Sequence, residues 1–325
     1  MSRRTDLSSL AFTGTMTLLA ALTLALLIAP TLVVLVVSFT DGFSLKFPPP
    51  GYSIRWYQEL LDASQLHFAA SNSLKIALAT TLLSIGLGVA GALAIARSAS
   101  AMAKVLDSLF MSPLVLPALA FGFAALMTFS AVGWTVSTTT LVIGHTAVCV
   151  PYVIRTTTAA LAQMDTALLE SSASLGGTRL YTFRRVTWPL IRPGVLAGAF
   201  MAFMSSFDNV PVSLFLRDAR TDMLPIRMWQ DLEGRLDVTI AAMSGVIIAI
   251  TLLLMISSTL LSRFVVSAKL HQMREQFGDI STLAKTEATR IAFDQLHQYS
   301  VWLMSFNLLA ALVLLVMLIR RRSDV

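Results

Sequence analysis

The residues that could do chemistry in this chain are few and scattered. Cys149 is the single cysteine, so an intrachain disulfide framework is excluded. The four histidines stand singly, with no CxxC or HExxH spacing, so no metal site is expected. No GxxxxGK[ST] stretch is present to cradle a nucleotide phosphate. No nucleophile–base pair joins the serines and histidines, so neither catalytic residues nor a cofactor is expected. One carboxylate stands out: Asp208 lies within an apolar run, between Phe207 and Asn209. A charge at mid-bilayer costs roughly 2.5–3.5 kcal/mol, so such a group should face water or protein. Two readings stand side by side. Asp208, with Phe207 and Asn209, is a candidate path for a cationic solute, or it caps a kink before Pro211. His145, also in an apolar run, reads as a satisfied core group.

A second stretch, Gln163 to Pro193, is built to push rather than to react. Asp165 can cap a helix start. Leu168, Leu169, Ser172 and Leu175 fall at helical spacing and form one face. Gly176 and Gly177 supply a stop. A second short helix is predicted from Thr178 to about Thr187, with Phe183 and Val186 on one side and Arg184 and Arg185 on the other. Trp188-Pro189 should end it, because the residue before a proline avoids the helical region. The two arginines read equally as anchors at a membrane face or as contacts to a partner or lipid.

These residues must be positioned by helices in a bilayer. The chain has 325 residues, 56% hydrophobic and only 13% charged, against about 25% charged for a soluble domain. Its apolar blocks reach the roughly 20 residues needed to cross a core of about 30 Å. Backbone groups in hydrocarbon must pair internally, so the blocks should be helices; no alternating barrel pattern is seen. Spans are expected at 11–39, 68–96, 105–130, 138–158, 193–216 and 238–266. Pro113 and Pro117 should bend or interrupt the third, and Pro151 lies in the fourth as a further candidate hinge. Residues 1–270 then form the spanning domain, with the loop at 161–192. Residues 271–298 read as a polar linker and 299–325 as an extra hydrophobic helix with a basic end. The net charge of +6 comes from Lys and Arg beside the apolar blocks, which argues for membrane loops and against nucleic acid.

Arg3 and Arg4 before the first block, and the basic loops 97–104 and 155–192, place the N-terminus inside. The first block is too long for a signal-peptide core and reads as an uncleaved span. A seventh crossing would carry Arg320-Arg321-Arg322 outside, against the same rule; a crossing run and a non-crossing appendage both stay open.

The 163–193 stretch resembles the EAA loop of ABC-importer permeases, E-A-A-x-x-x-G followed about a dozen residues later by a proline-rich helix start. Here Glu170, Ser171, Ser172 and Gly176 occupy that pattern, then Pro189 and Pro193, with serines in place of the two alanines. The resemblance covers about 11–266. It implies an all-α membrane protein with a six-helix permease core in the bacterial inner membrane. It further implies docking of Asp165, Glu170, Ser171, Ser172, Gly176, Arg184, Arg185 and Pro189 on a cytoplasmic ABC ATPase that binds the ATP, a second permease subunit, identical or related, and a periplasmic substrate-binding protein. Ser205-Ser206-Phe207-Asp208, Leu224-Pro225 and the 112–117 run SPLVLP are most similar to permeases for spermidine and putrescine; related permeases for ferric iron, sulfate, phosphonates or amino-acid-like compounds share parts of this pattern, so a related small solute stays open. The alternatives are a stand-alone secondary transporter or channel, which would show inverted repeats or more ionisable residues at mid-membrane, and an intramembrane enzyme, which would need the constellation that is missing here.

Overall fold

The computed structural model describes residues 7–277 apart from 97, 99, 219, 236 and 237, together with 293 and 296. In chain order the helices are α1 (Leu7–Ser38), α2 (Arg55–Asp62), α3 (Ser64–Ala96), α4 (Ala101–Val115), α5 (Ala118–Ala131), α6 (Thr138–Ala162), α7 (Thr166–Ser174), α8 (Arg179–Thr182), α9 (Trp188–Phe207), α10 (Val210–Leu216), α11 (Leu224–Arg235), α12 (Thr239–Leu261) and α13 (Ala268–Phe277). Among the described residues the only extended pairing is a single antiparallel bridge between Thr40 and Tyr52. The protein is all-α. Most of the expected polar linker and the whole 301–325 run lie outside the described residues.

Two compact units form. The first holds α1, α2, α12 and α13, and the second α3 to α11. In the first, α1 and α2 pack on α12. In the second, α3, α6 and α9 pack on one another, α4 leans on α6, and α5 on α10. Their core is made by Val89, Cys149, Val153, Ile191 and Val195. In lipid, helices gain little from burying apolar surface and rely on close contact. That contact is made at Val153: a Cβ added to Gly88 would lie 2.6 Å from Val153 Cβ, and one added to Gly198 2.7 Å from its Cα.

Four helical runs among the described residues are long and apolar enough to cross a bilayer: Gly14–Ser38, Ser64–Ala96, Arg179–Phe207 and Thr239–Leu261. The pair α4 and α5 would make a fifth, bent by 111° at its break. Pro117 is the N-cap of α5, and Leu116 before it is extended, as the proline ring demands. Pro113 sits inside α4 and Pro151 inside an unbroken α6. α6 has 25 residues but is rich in threonine and carries His145 and Arg155. It can be this polar because α3 and α9 cover it.

The structure corrects two boundaries. The fifth apolar run is not one helix; it divides at Asp208 and Asn209 into α9 and α10. Pro211 sits in the first turn of α10, where its missing N–H costs nothing. Nor does Trp188-Pro189 end a helix. Residues Phe183–Thr187 form a π-helical turn that joins α8 to α9. Trp188 N–H reaches the carbonyl of Phe183, five residues back, and the wider turn makes room for the Pro189 ring.

Candidate functional site

The loop between α6 and α9 is shaped by its own side chains. Asp165 caps α7, its carboxylate accepting from Ala167 N–H at 2.9 Å. Gly176, at φ +77°, takes the left-handed conformation that ends α7. Gly177 N–H then donates to Ser172 O at 2.9 Å and Gly176 N–H to Ala173 O at 3.0 Å, which satisfies the last carbonyls of the helix. Thr178 restarts the chain, its hydroxyl accepting from Tyr181 N–H at 3.3 Å. Ser172 and Thr182 join the two short helices through a 2.8 Å hydroxyl pair, and the rings of Phe183 and Trp188 lie 6.2 Å apart.

A loop so braced presents apolar groups outward. None of α7 is buried. Leu175 is 89% exposed, and Leu168, Leu180 and Tyr181 are also exposed. Leu168, Ser172, Leu175, Tyr181, Arg185 and Val186 line a concavity of about 640 Å³. Glu170, Ser171, Arg184, Arg185 and Pro189 are exposed around it, and Ser172 is half-buried. Apolar side chains held in place at a rim of charge mark an interaction surface, for a protein or for a membrane.

Asp208 lies at the far end of the same helical run. Arg179–Phe207 is 29 residues long, about 43 Å at ~1.5 Å per residue, so Asp208 stands about that far along the axis from the start of α8. Asp208 is the C-cap of α9 and is exposed. A carboxylate beside a helix C-terminus adds to the negative end of the helix dipole, a combination that favours a cation. Phe207 and Asn209 are half-buried. Phe207 stacks on Phe203 with centroids 5.9 Å apart. The Asn209 side-chain oxygen accepts from Val212 N–H at 3.0 Å and so starts α10.

The break is clipped by a residue that had read only as core. His145 is wholly buried. Its Nδ1 lies 2.8 Å from Ser206 Oγ and its Nε2 2.9 Å from Ser213 Oγ. One ring nitrogen donates to one serine and the other accepts from the second serine's O–H. The serines flank Asp208 and Asn209, so one imidazole fixes both halves of the broken run. Sequence marks His145 and the serines as polar groups in apolar helices but does not pair them.

Two further ties were not legible. Asn72 Nδ2 donates to the carbonyls of Arg220 and Asp222, each at 3.2 Å, and Ser73 Oγ accepts from Leu224 N–H at 2.9 Å. They pin the charged 217–223 loop to α3, where Arg217 pairs with Asp222 at 2.9 Å. Within that loop, hydrogen bonds from the Thr221 hydroxyl, at 2.7 Å, and from the Arg220 amide hold the Asp218 carboxyl below its usual range. Arg155 on α6 pairs with Asp107 on α4 at 3.4 Å.

Broken helical runs and a braced, outward-facing loop are the features this site presents. Residues 84–268, more than half of the chain, match the family described as binding-protein-dependent transport system inner membrane component, and the chain belongs to that family. It is 27% identical over 240 residues to the spermidine/putrescine transport system permease protein PotC of Haemophilus influenzae, spanning 74% of this chain and 93% of that protein. It is 28% identical over 229 residues to the putrescine transport system permease protein PotI of Escherichia coli, spanning 68% of this chain and 81% of that protein. In fold it is similar to a chain of a bacterial ABC transporter involved in the import of the acidic polysaccharide alginate, at a TM-score of 0.62 and 14% identity, over 82% of this chain and 99% of that one. The protein is an ABC-importer permease component that resembles polyamine permeases.

Proposed function

We propose that this chain lines part of the path of an ATP-driven importer for a small cationic amine of the spermidine or putrescine class. Its N-terminus lies in the cytoplasm, which puts the 161–192 loop there too. A cytoplasmic ATPase receives Leu168, Leu175 and Tyr181 into its surface, with Asp165, Glu170, Ser171, Gly176, Arg184, Arg185 and Pro189 around them. The ATPase binds and hydrolyses the ATP, and its closure moves the loop and with it the helices that flank it. A second permease subunit completes the path, and a periplasmic substrate-binding protein delivers the cargo. Pro113, Pro117 and Pro151 mark where the spans can flex.

The observation that carries this reading is the self-braced loop with Leu175 almost fully exposed. Leu168, Leu175, Leu180 and Tyr181 are exposed together there, and a grouped apolar patch rimmed by charge is the mark of an interaction surface. The choice of a cationic cargo rests on Asp208, exposed at the end of α9, together with the names of the two relatives.

The test is co-purification of an ATPase with the chain from membranes. Replacing Glu170 and Gly176 together should abolish it. Solute transport by the purified chain with no ATPase present would instead favour a stand-alone transporter.

A further inference from the structure

The segment joining α1 to α2 is poor in charge and rich in outward aromatics. Phe43 is 79% exposed and Tyr52 73%, with Phe47 and Ile54 also exposed. The segment is nevertheless rigid. Asp41 N–H donates to Gly51 O at 3.1 Å and Ser53 N–H to Phe39 O at 2.6 Å. Trp56 Nε1–H donates to Gly42 O at 3.1 Å. The Arg55 guanidinium lies 4.2 Å from the Phe43 ring centre and 4.4 Å from that of Trp56.

Its level is read against α12. Ser38 Oγ and Tyr57 OH share a 2.7 Å hydrogen bond. Both crowd Gly245, where an added Cβ would lie 3.3 Å from Ser38 Oγ. Gly245 comes six residues after Thr239, the start of α12, or about 9 Å along the axis. The 23 residues of α12 reach about 34 Å, close to a hydrocarbon core of about 30 Å. The segment therefore starts below the end of a spanning helix, at headgroup and upper acyl level. α1, which leads into it, is apolar and almost wholly uncovered by the other described residues, so its exposed apolar surface continues directly into Phe39, Phe43 and Phe47.

We propose that residues 39–54 form an aromatic wedge seated in the interfacial zone of the bilayer, with lipid headgroups and the first methylenes as its partner, and that the wedge fixes the depth of α1 and α12. Tyr52 suits that zone because its ring is apolar at one end and polar at the other, and the wholly apolar Phe43 and Phe47 rings suit its acyl side.

Nitroxide labelling of the full chain in phosphatidylethanolamine/phosphatidylglycerol nanodiscs tests this. Cys149 is buried and stays unlabelled. Labels are placed by Phe43→Cys, Phe47→Cys and Tyr52→Cys, with Glu59→Cys as the water-facing control. The expected result is a several-fold higher ratio of oxygen to aqueous nickel-chelate collisions at 43, 47 and 52 than at 59. Equal ratios at all four sites would overturn the proposal. So would labels freely mobile in lipid that become immobile only when a periplasmic binding protein is added, which would make the wedge a protein-docking surface.

Discussion

Ser172 and Thr182, ten residues apart on separate short helices, meet hydroxyl to hydroxyl at 2.8 Å. That bond closes the turn opened at Gly176 and keeps α7 and α8 in one orientation. Ser172→Ala removes it and should cost about 0.5–1.5 kcal/mol locally. Amide exchange at residues 178–182 is then expected to rise up to ~10-fold, since about 1.4 kcal/mol is a factor of ten. Exchange identical to that of the parent would mean the turn is held by its backbone bonds alone.

His145→Leu strands the hydroxyls of Ser206 and Ser213 in the core, at about 1–3 kcal/mol each. The melting temperature in detergent should fall markedly. His145→Gln, which keeps one donor and one acceptor, should fall less. Equal losses in the two variants would assign the effect to volume rather than to hydrogen bonding.

Asp208→Asn keeps the size of the side chain and removes its charge. Uptake of a cationic amine should drop by roughly 10-fold, about 1.4 kcal/mol, with membrane abundance and ATPase co-purification unchanged. Full uptake in this variant would take Asp208 out of the path.

Asp218 gives a pH signature. Its carboxyl is held below the usual range, chiefly by the Thr221 hydroxyl. A group with a depressed folded pKa contributes stability above its ordinary pKa, and that contribution is lost as pH falls through the folded value. The 217–223 loop should therefore loosen only at strongly acid pH, below the ordinary carboxylate range. Exchange at the Arg220 amide, which donates to this carboxylate, reads the change. Asp218→Asn should show the loosened loop already at neutral pH.

The parts of this structure legible from sequence are those set by local rules. Long apolar runs become helices because a bilayer offers the backbone no other partner. Asp165 and Gly176 announce the ends of α7 because capping and positive φ are matters of single residues. Pro117 announces the break before α5 for the same reason. Three features were legible only in part or not at all. The Asp208–Asn209 break is legible as one of two readings, because Asp208 before Pro211 reads equally as a kink and as a charge in a solute path, and only the structure shows Asp208 as the C-cap of α9. Trp188-Pro189 reads as a stop unless the π turn that accommodates it is already known. The bonds of His145 span 61 and 68 residues, and that from Asn72 to Asp222 spans 150; such partners are chosen by packing, and no local pattern encodes them.

The π turn at 183–187 carries the loop into the long apolar run without a break in the helix. α8, the turn and α9 form one shaft, like a crank fixed to its axle. On the proposed docking, a partner that tilted the short arm at Tyr181 would swing this shaft, and Asp208 at its opposite tip would be displaced in the same stroke.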